Sequence, residues 1–408
     1  MEDITLIMGS VFPVPAVKGG AVENLIENIA KAHEKEKKVN LNIICAYDFN
    51  AEKIAKEKFK NTNFNYIKVG KINKFIDQCI SFVATKIFHK KNVMAYSYIF
   101  QRLGYYRKTS NLLHKKDFGK IILENSTGLY LALKWKKNYL KYAGRYYYHC
   151  HNKVNMDFGC IDIIEKTNKF ISVSDYMGKD LQNFSDRIKN KKFLTLKNII
   201  DYEKFEKNIT ETEKNILKNK YHIDSNEKVI IFVGRLTEEK GIKQLLMAIN
   251  DVTYKNFKLL IVGSYFFNTK VKSDFEKELD ELVNKNKERI IFTGYINYNQ
   301  IYQLYKISDF AVLPSMWDEP AGLTIQEAEA CGLPAITTNS GGIPEYVING
   351  SSIIIKKDEN IVENLKTEIE NLLNDEKKLK EMSNKSLEII DDLDICKYYN
   401  NLIKIVEE

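Results

Sequence analysis

The run Glu319-Pro320-Ala321-Gly322-Leu323-Thr324-Ile325-Gln326-Glu327 sets two carboxylates eight positions apart, with a turn of small residues and a helix start between them. One glutamate before such a turn and one in the helix can face the same opening. Carboxylates accept hydrogen bonds from sugar and ribose hydroxyls. The unsatisfied N–H groups of Ala321, Gly322 and Leu323 suit a phosphate or another anionic leaving group. The plainer alternative is an ordinary helix cap with an acidic first turn, which is stabilising by itself. A second stretch, Val233-Gly234-Arg235-Leu236-Thr237-Glu238-Glu239-Lys240-Gly241, puts a guanidinium and an ammonium on either side of a tight turn into Ile242–Ile249. Two cations and a helix N-terminus aimed at one place form a diphosphate clamp; a surface loop with two solvated cations is the alternative.

Three further places carry chemistry. Lys18-Gly19-Gly20-Ala21 opens a helix, and paired glycines there expose backbone N–H groups and let a phosphate approach closely. The pattern is neither GxGxxG nor a Walker loop, which argues against nicotinamide and P-loop chemistry. A strand over Arg145–Cys150 leads into His149-Cys150-His151-Asn152, and alternation turns His149 and His151 to one face with Cys150 opposite. Two histidines can begin a metal site, but no third ligand is near them in sequence, so a hydrogen bond to ligand or backbone is the expectation. Ser340-Gly341-Gly342-Ile343-Pro344-Glu345 adds another glycine turn after a strand.

The elements that must position these residues alternate from end to end. Apolar runs read as strands at Ile4–Met8, Val39–Ile44, Phe64–Val69, Lys120–Leu123, Arg145–His151, Phe170–Ser174 and Phe193–Leu196. A second set runs Val229–Val233, Leu259–Val262, Ile290–Phe292, Phe310–Leu313, Ala335–Thr337 and Ser352–Ile355. Helix-period stretches such as Val22–Ala32, Ile242–Ile249 and Ile325–Ala330 lie between them. Such alternation predicts an α/β chain of two Rossmann-like domains facing across a cleft, with ligands at the carboxyl ends of the strands. The break is expected in the polar stretch Lys204–Lys228, giving domains over 1–204 and 205–389. An amphipathic helix over about 390–408 is expected to pack back on the first.

Composition agrees with two cores: the chain has 408 residues, 44% of them hydrophobic and 28% charged. Aromatic residues make up 12%, too many for a disordered chain. Six scattered cysteines without a CxxC pair suit reduced thiols. Glu2 and Asp3 stand where a signal peptide carries basic residues, and no stretch of 18 apolar residues occurs, so a cytoplasmic location is expected. The net charge of +8 is uneven. Residues 51–150 hold 21 Lys and Arg against 5 Asp and Glu, a surplus of 16, which leaves the remainder at −8. A basic quarter suggests an anionic partner, or simply lysine-rich solvated faces.

The stretches KGGA, VGRLTEEKGI, FTGY, LPS, EPAGLTIQEAEACGLP and SGGIPE, with Ser174-Asp175 and Lys197–Asp201, run in order from residue 18 to 345. Together they resemble the retaining nucleotide-sugar glycosyltransferases of family 4, which have the GT-B fold. The two glutamates with GLP behind them are the specific part, and the early motifs are looser. The resemblance implies that Glu327 binds the ribose hydroxyls and that Glu319 contacts the donor hexose near the reacting carbon. It further implies that Arg235 and Lys240 neutralise the diphosphate while Gly19 and Gly20 cover it. Gly234, Ala321, Gly322 and Leu323 complete the donor-binding set. His151 matches the family's cleft histidine, with His149 leaving the register open. Glu329 departs from the family, which often has Met there.

The resemblance also implies a reaction. Cleavage of the sugar–phosphate bond leaves negative charge on the diphosphate, which Arg235, Lys240 and helix N-termini stabilise. No residue stands out as a general base, and the departing phosphate is implied to take the acceptor's proton on the same face. The Asp-x-Asp of metal-dependent sugar transferases has its only counterpart in Asp392-Leu393-Asp394 near the C-terminus, so neither metal nor cofactor is expected. The nucleotide sugar, with uridine as the favoured base, is a substrate.

Acceptor contacts are implied for the first, basic domain. There Phe75–Tyr106 interleaves eight aromatics with Lys and Arg, and Ile76, Ile80, Val83 and Ile87 recur at helix spacing. A basic amphipathic helix over Lys74–Lys91 suits an anionic leaflet; a core-facing helix with a lysine-rich outer face is the alternative. The acceptor is therefore expected to be a saccharide or lipid-linked saccharide of envelope polysaccharide or glycolipid synthesis. The expected setting is the cytoplasm, peripherally at the inner face of the membrane. The alternatives are another GT-B enzyme, an epimerase or a phosphorylase, or an inactive transferase-like subunit. The intact Glu319, Glu327, Arg235 and Lys240 disfavour decay, and nucleic-acid binding leaves them unexplained.

Overall fold

Among the described residues, thirteen short apolar runs form the strands of two separate parallel sheets, seven in one and six in the other. A computed structural model describes residues 1–86, 98–263, 274–388 and 394–408. The first sheet contains β1 (Asp3–Ile7), β2 (Asn40–Ala46), β3 (Asn63–Ile67), β4 (Lys120–Glu124), β5 (Tyr146–Cys150), β6 (Phe170–Ser172) and β7 (Phe193–Thr195), in the order β3-β2-β1-β4-β5-β6-β7. The second contains β8 (Lys228–Val233), β9 (Phe257–Val262), β10 (Ile290–Gly294), β11 (Phe310–Leu313), β12 (Ala335–Thr338) and β13 (Ile353–Ile355), in the order β10-β9-β8-β11-β12-β13. Each run predicted as a strand is one, with ends moved by a residue or two. The inner strands read as continuous Ile/Val/Leu because helices cover both faces of a parallel sheet.

The strand order reverses beside β1, which pairs with both β2 and β4, and beside β8, which pairs with both β9 and β11. Loops after the two central strands of such a sheet leave toward opposite faces, and the gap between them is the usual place for a ligand. The segments after β1, β4, β8 and β11 therefore occupy the positions that matter in each unit.

By contact the chain divides into Met1–Asn198 with Ile395–Glu408, and Ile199–Asp394. The helix Ile395–Glu407 packs on the helix Ala21–Glu36 of the first unit through buried Tyr398, Tyr399, Leu402, Ile403 and Val406. His33 Nδ1 lies 2.8 Å from the Tyr399 hydroxyl, and Tyr147 donates to the Val406 carbonyl at 2.9 Å. In the second unit Leu245, Leu246 and Ile249 of the helix Ile242–Asp251 join Ile230, Leu259, Ile261 and Leu365 in one core. The polar stretch between the sheets is itself ordered: Thr210 and Glu213 form a reciprocal cap at the start of the helix Glu211–Lys220. All six cysteines are free thiols.

Within the basic segment the helix runs from Lys71 to Lys86, and residues 87–97, with Ile87, Phe88, Lys90, Lys91 and Tyr96, lie outside the described residues. Asp77 is buried and accepts from the backbone N–H groups of Phe100 and Gln101, which ties this helix to the start of Ile99–Lys115. Asp392 and Leu393 also lie outside the described residues. Among those described, no helix is long and apolar enough to cross a membrane.

Glu329 shows how the helix Leu323–Ala330 is anchored. Its carboxylate is fully buried and accepts from the hydroxyls of Ser351 and Ser352, just before β13. Burial raises its pKa to about 7, and the serines offset that only in part. A carboxyl whose pKa rises on folding contributes stability that is complete below about 4.5 and is lost as the pH climbs through about 7. Glu329→Gln is neutral throughout and keeps an acceptor for the serines. It should raise the melting temperature at pH 8 by several degrees relative to its effect at pH 5, since ~1 kcal/mol moves a domain of this size by roughly 2–4 °C. Melting curves at the two pH values test this; an equal shift at both would show that Glu329 is not protonated on folding.

Candidate active site

Glycines shape the second unit's edge before any charged side chain acts. Gly241 ends the turn Glu238–Lys240 with φ 71°, and a Cβ there would stand 1.9 Å from the Pro314 carbonyl oxygen. Only glycine lets the loop after β8 close against the loop after β11. That approach delivers Lys240 to Glu319: Nζ donates to Oε1 at 2.5 Å, and the Ser315 hydroxyl donates to the same oxygen at 2.8 Å. A third loop supports the pair from beneath. The Gly342 N–H donates to the Glu319 carbonyl at 2.7 Å, and a Cβ on Gly341 would lie 2.5 Å from that oxygen. Thr338 and Ser340 both donate to the Ser315 carbonyl. The SGG turn thus holds the backbone of Glu319.

Gly322 precedes the helix Leu323–Ala330, and no side chain caps it. Its Cα packs close to Tyr346, where an added Cβ would come within 3.1 Å of the tyrosine Cβ. The first N–H groups of an uncapped helix carry partial positive charge. Arg235, directly after Gly234, is about half exposed and meets Glu239 at 3.5 Å. Glu327 has a different setting from Glu319. It is buried, with the Tyr305 hydroxyl 3.4 Å from Oε2. Burial raises its pKa to about 7, against hydrogen bonds from Tyr298 and Tyr305.

In the first unit Gly19 and Gly20 both have positive φ, 74° and 108°. Nothing stands within 4 Å of where a Gly19 Cβ would be, whereas one on Gly20 would meet the Glu23 carboxylate at 2.0 Å. Glu23 thus folds back against Gly20 at the start of the helix Ala21–Glu36. Across the sheet edge, β4 and β5 run in register with Glu124 opposite His149. Glu124 Oε2 lies 2.8 Å from His151 Nε2 and 3.1 Å from His149 Nδ1, and the two rings are 4.0 Å apart between centroids. All three side chains are buried.

This corrects the expectation that no third ligand is near the histidines. Glu124 is that third group, and the ligand atoms of the three lie within 4.8 Å of one another. Burial alone would raise Glu124, but the two imidazoles outweigh it and bring its carboxyl down to about 2. His151 goes the other way: burial, then His149, lowers it to about 4 against the pull of Glu124. His149 and His151 do share a face, as strand alternation requires. In sequence, Lys-Ile-Ile-Leu-Glu marks Glu124 only as a charged residue closing a strand at the carboxyl edge of the sheet. The structure therefore groups Lys240, Glu319, Arg235 and the Gly322 turn at one sheet edge, and Gly19, Gly20, Glu124 and His151 at the other.

Residues 213–388 match the family model for glycosyl transferases group 1. Spore coat protein SA of Bacillus subtilis is 29% identical over 197 residues, covering 47% of this chain and 51% of that protein. A lipopolysaccharide 1,2-N-acetylglucosaminetransferase of Salmonella typhimurium is 28% identical over 137 residues, 33% of this chain and 36% of the enzyme. The chain thus spans about half or less of the curated relatives it matches. Among solved structures, Anabaena Alr3699/HepE, determined in complex with UDP and glucose, superposes with a TM-score of 0.72 at 16% identity over the full length of both chains. The chain has the GT-B fold, and its second unit matches the group 1 glycosyl transferase domain.

Proposed function

We propose that the protein is a retaining glycosyltransferase that moves a hexose from a UDP-sugar to a saccharide acceptor in envelope polysaccharide, lipopolysaccharide or glycolipid synthesis. The observation that carries this reading is the Lys240–Glu319 pair set beside an uncapped helix N-terminus. An ammonium and free N–H groups meet the charge that develops on a departing diphosphate, and the carboxylate next to them accepts from sugar hydroxyls. The match of residues 213–388 supports the transferase class. The UDP and glucose in the HepE complex support a uridine donor, and the lipopolysaccharide enzyme supports an envelope acceptor. In this reading Arg235 and Lys240 neutralise the diphosphate, Glu319 orients the hexose, Glu327 takes the ribose, and Gly19 and Gly20 cover the phosphates. His151 serves the reacting sugar, and the departing phosphate takes the acceptor's proton on the same face.

The segment 51–150 is proposed to meet an anionic membrane where the acceptor resides. What supports it is the surplus of 16 positive charges together with the apolar side chains of the helix Lys71–Lys86. Ile72, Phe75 and Phe82 fall on one face of that helix and are 74%, 65% and 62% exposed.

Purified protein incubated with a panel of nucleotide sugars should release UDP slowly from one UDP-hexose in the absence of acceptor. On that donor Arg235→Ala and Lys240→Ala should each cut turnover by roughly 10²–10³, the scale of losing one charge-stabilising donor. Near-normal turnover by both variants would sink the assignment.

Metal-independent transfer should persist in excess EDTA. Abolished turnover that Mg²⁺ or Mn²⁺ restores would overturn that part of the mechanism.

Co-sedimentation should rise with the anionic lipid content of vesicles. Each Lys or Arg at such a surface contributes about 1 kcal/mol. Raising the salt from 0.1 M to 1 M shortens the screening length from ~10 Å to ~3 Å and should leave only the apolar remainder. Equal binding to neutral and anionic vesicles, or none at low salt, would refute the docking.

A further inference from the structure

The Glu124–His149–His151 cluster holds more unsatisfied polarity than a structural core tolerates without a reason. Among the described residues, Glu124 Oε1, His149 Nδ1 and Nε2, and His151 Nδ1 are all buried without a hydrogen-bond partner. A polar group left unpaired away from water opposes folding. The contact between His151 Nε2 and Glu124 Oε2, at 2.8 Å, meets the geometry of a hydrogen bond. His149 Nδ1 lies 3.1 Å from the same oxygen and, together with His151, lowers the Glu124 carboxyl. The shared oxygen already fills the position between the two rings, which favours an acceptor with donors around it over a metal ion with three ligands.

The surroundings are rigid. Asn125 donates from its backbone to the His149 carbonyl at 2.8 Å, Tyr148 donates to the Asn125 carbonyl at 2.5 Å, and Asn152 reaches Asn125 Oδ1 at 3.2 Å. These bonds tie the loops after β4 and β5 together on either side of the cluster. From the helix Ala21–Glu36, Glu23 feels the charge of Glu124, which adds to the burial that raises its pKa, and its carboxylate lies against Gly20; Tyr148 on β5 is likewise raised in part by Glu124.

We propose that Glu124 is a positioning residue for His151. By accepting from Nε2–H it fixes the tautomer and orientation of the ring, leaving Nδ1 as an unprotonated acceptor for a substrate hydroxyl at the carboxyl edge of the first sheet. A carboxylate can accept from a ring N–H and cannot donate to a bare ring nitrogen, so an ionised Glu124 selects the Nε2–H form. The depressed pKa of His151 keeps the ring neutral across the physiological range, as an acceptor role requires. The proposal rests on the reading of His151 as part of the glycosyl-transfer site.

Long-range ¹H–¹⁵N correlation of the histidine rings in the wild-type protein at pH 7 reads the tautomer directly, without donor or turnover. His151 should be neutral and protonated at Nε2. Glu124→Gln offers an amide that donates to Nε2, so the His151 signals should move to the Nδ1–H pattern. On the donor identified in the sugar panel, kcat should fall roughly 10²–10⁴-fold, as when a carboxylate orienting a histidine becomes an amide. The donor KM should stay within a few-fold, because the diphosphate contacts lie elsewhere, and Glu124→Asp should recover part of the loss. A cationic or Nδ1–H His151 in the wild type would overturn the proposal whether or not the variant folds. So would a stoichiometric metal whose removal shifts the ring signals. The expected tautomer in a protein that turns over no nucleotide sugar would defeat the functional reading and leave the positioning intact.

Discussion

Parallel pairing is the constraint on which everything else in this molecule depends. A parallel strand cannot be followed by a hairpin, so each connection must cross a face of the sheet as a helix before the next strand begins. Where the strand order reverses, beside β1 and beside β8, the two neighbouring connections depart to opposite faces. The loops at their roots cannot fill the space between them, and within each unit the polar groups gather at that unit's own gap. Gly19, Gly20 and Glu124 follow or end β1 and β4; Arg235, Lys240 and Glu319 follow β8 and β11. Chain topology alone brings Lys240 to a carboxylate 79 residues away.

The magnitudes decide what that contact is for. Lys240 is 24% and Glu319 14% exposed at the side chain, so their pair is partly solvated. An ion pair in such a setting contributes about 1 kcal/mol or less to stability. It is not what holds the loops in place. The loops are held by backbone: Gly241 against Pro314, Gly342 to the Glu319 carbonyl, Ser340 and Thr338 to the Ser315 carbonyl. A scaffold fixed by backbone contacts can carry a weak ion pair whose cation is free to turn to a stronger anion. A diphosphate is such an anion, and in the proposed function the lysine would turn to it while the backbone contacts keep the loops in place.

Much of this was legible in the sequence, and the reasons are local. Each strand appears as an apolar run because both sheet faces are covered. Lys240 stands next to Gly241, and Glu319 stands three residues before Gly322, glycines that make sense only where chain segments approach closely. What was illegible depends on register. Nothing in Lys-Ile-Ile-Leu-Glu distinguishes a solvated strand end from a carboxylate buried between two imidazoles. The difference comes from pairing Glu124 with His149, a relation between segments 25 residues apart. The role of the SGG turn was hidden in the same way: its service to the Glu319 backbone exists only once β11 and β12 lie side by side. Glu329 turns to Ser351 and Ser352, away from the chemistry, for a reason that lies 22 and 23 residues further on.

Three buried carboxylates show why burial by itself predicts nothing about charge. Glu124, Glu327 and Glu329 are all nearly inaccessible, yet the first titrates near 2 and the other two near 7. Desolvation is the largest influence on each and always favours the neutral acid. The sign is set by what surrounds the group. Two imidazoles face Glu124, and their attraction exceeds the desolvation cost, so the carboxylate stays ionised and can only accept. Phenol and serine hydroxyls face Glu327 and Glu329; their hydrogen bonds favour the ionised form too weakly to cancel burial. Glu327 is therefore balanced between two states near neutrality. A hydroxyl-rich ligand at that carboxylate would tip the balance by supplying the donors that the tyrosines provide only partly. Burial is common to all three carboxylates, and the side chains around each decide which way its charge balance falls.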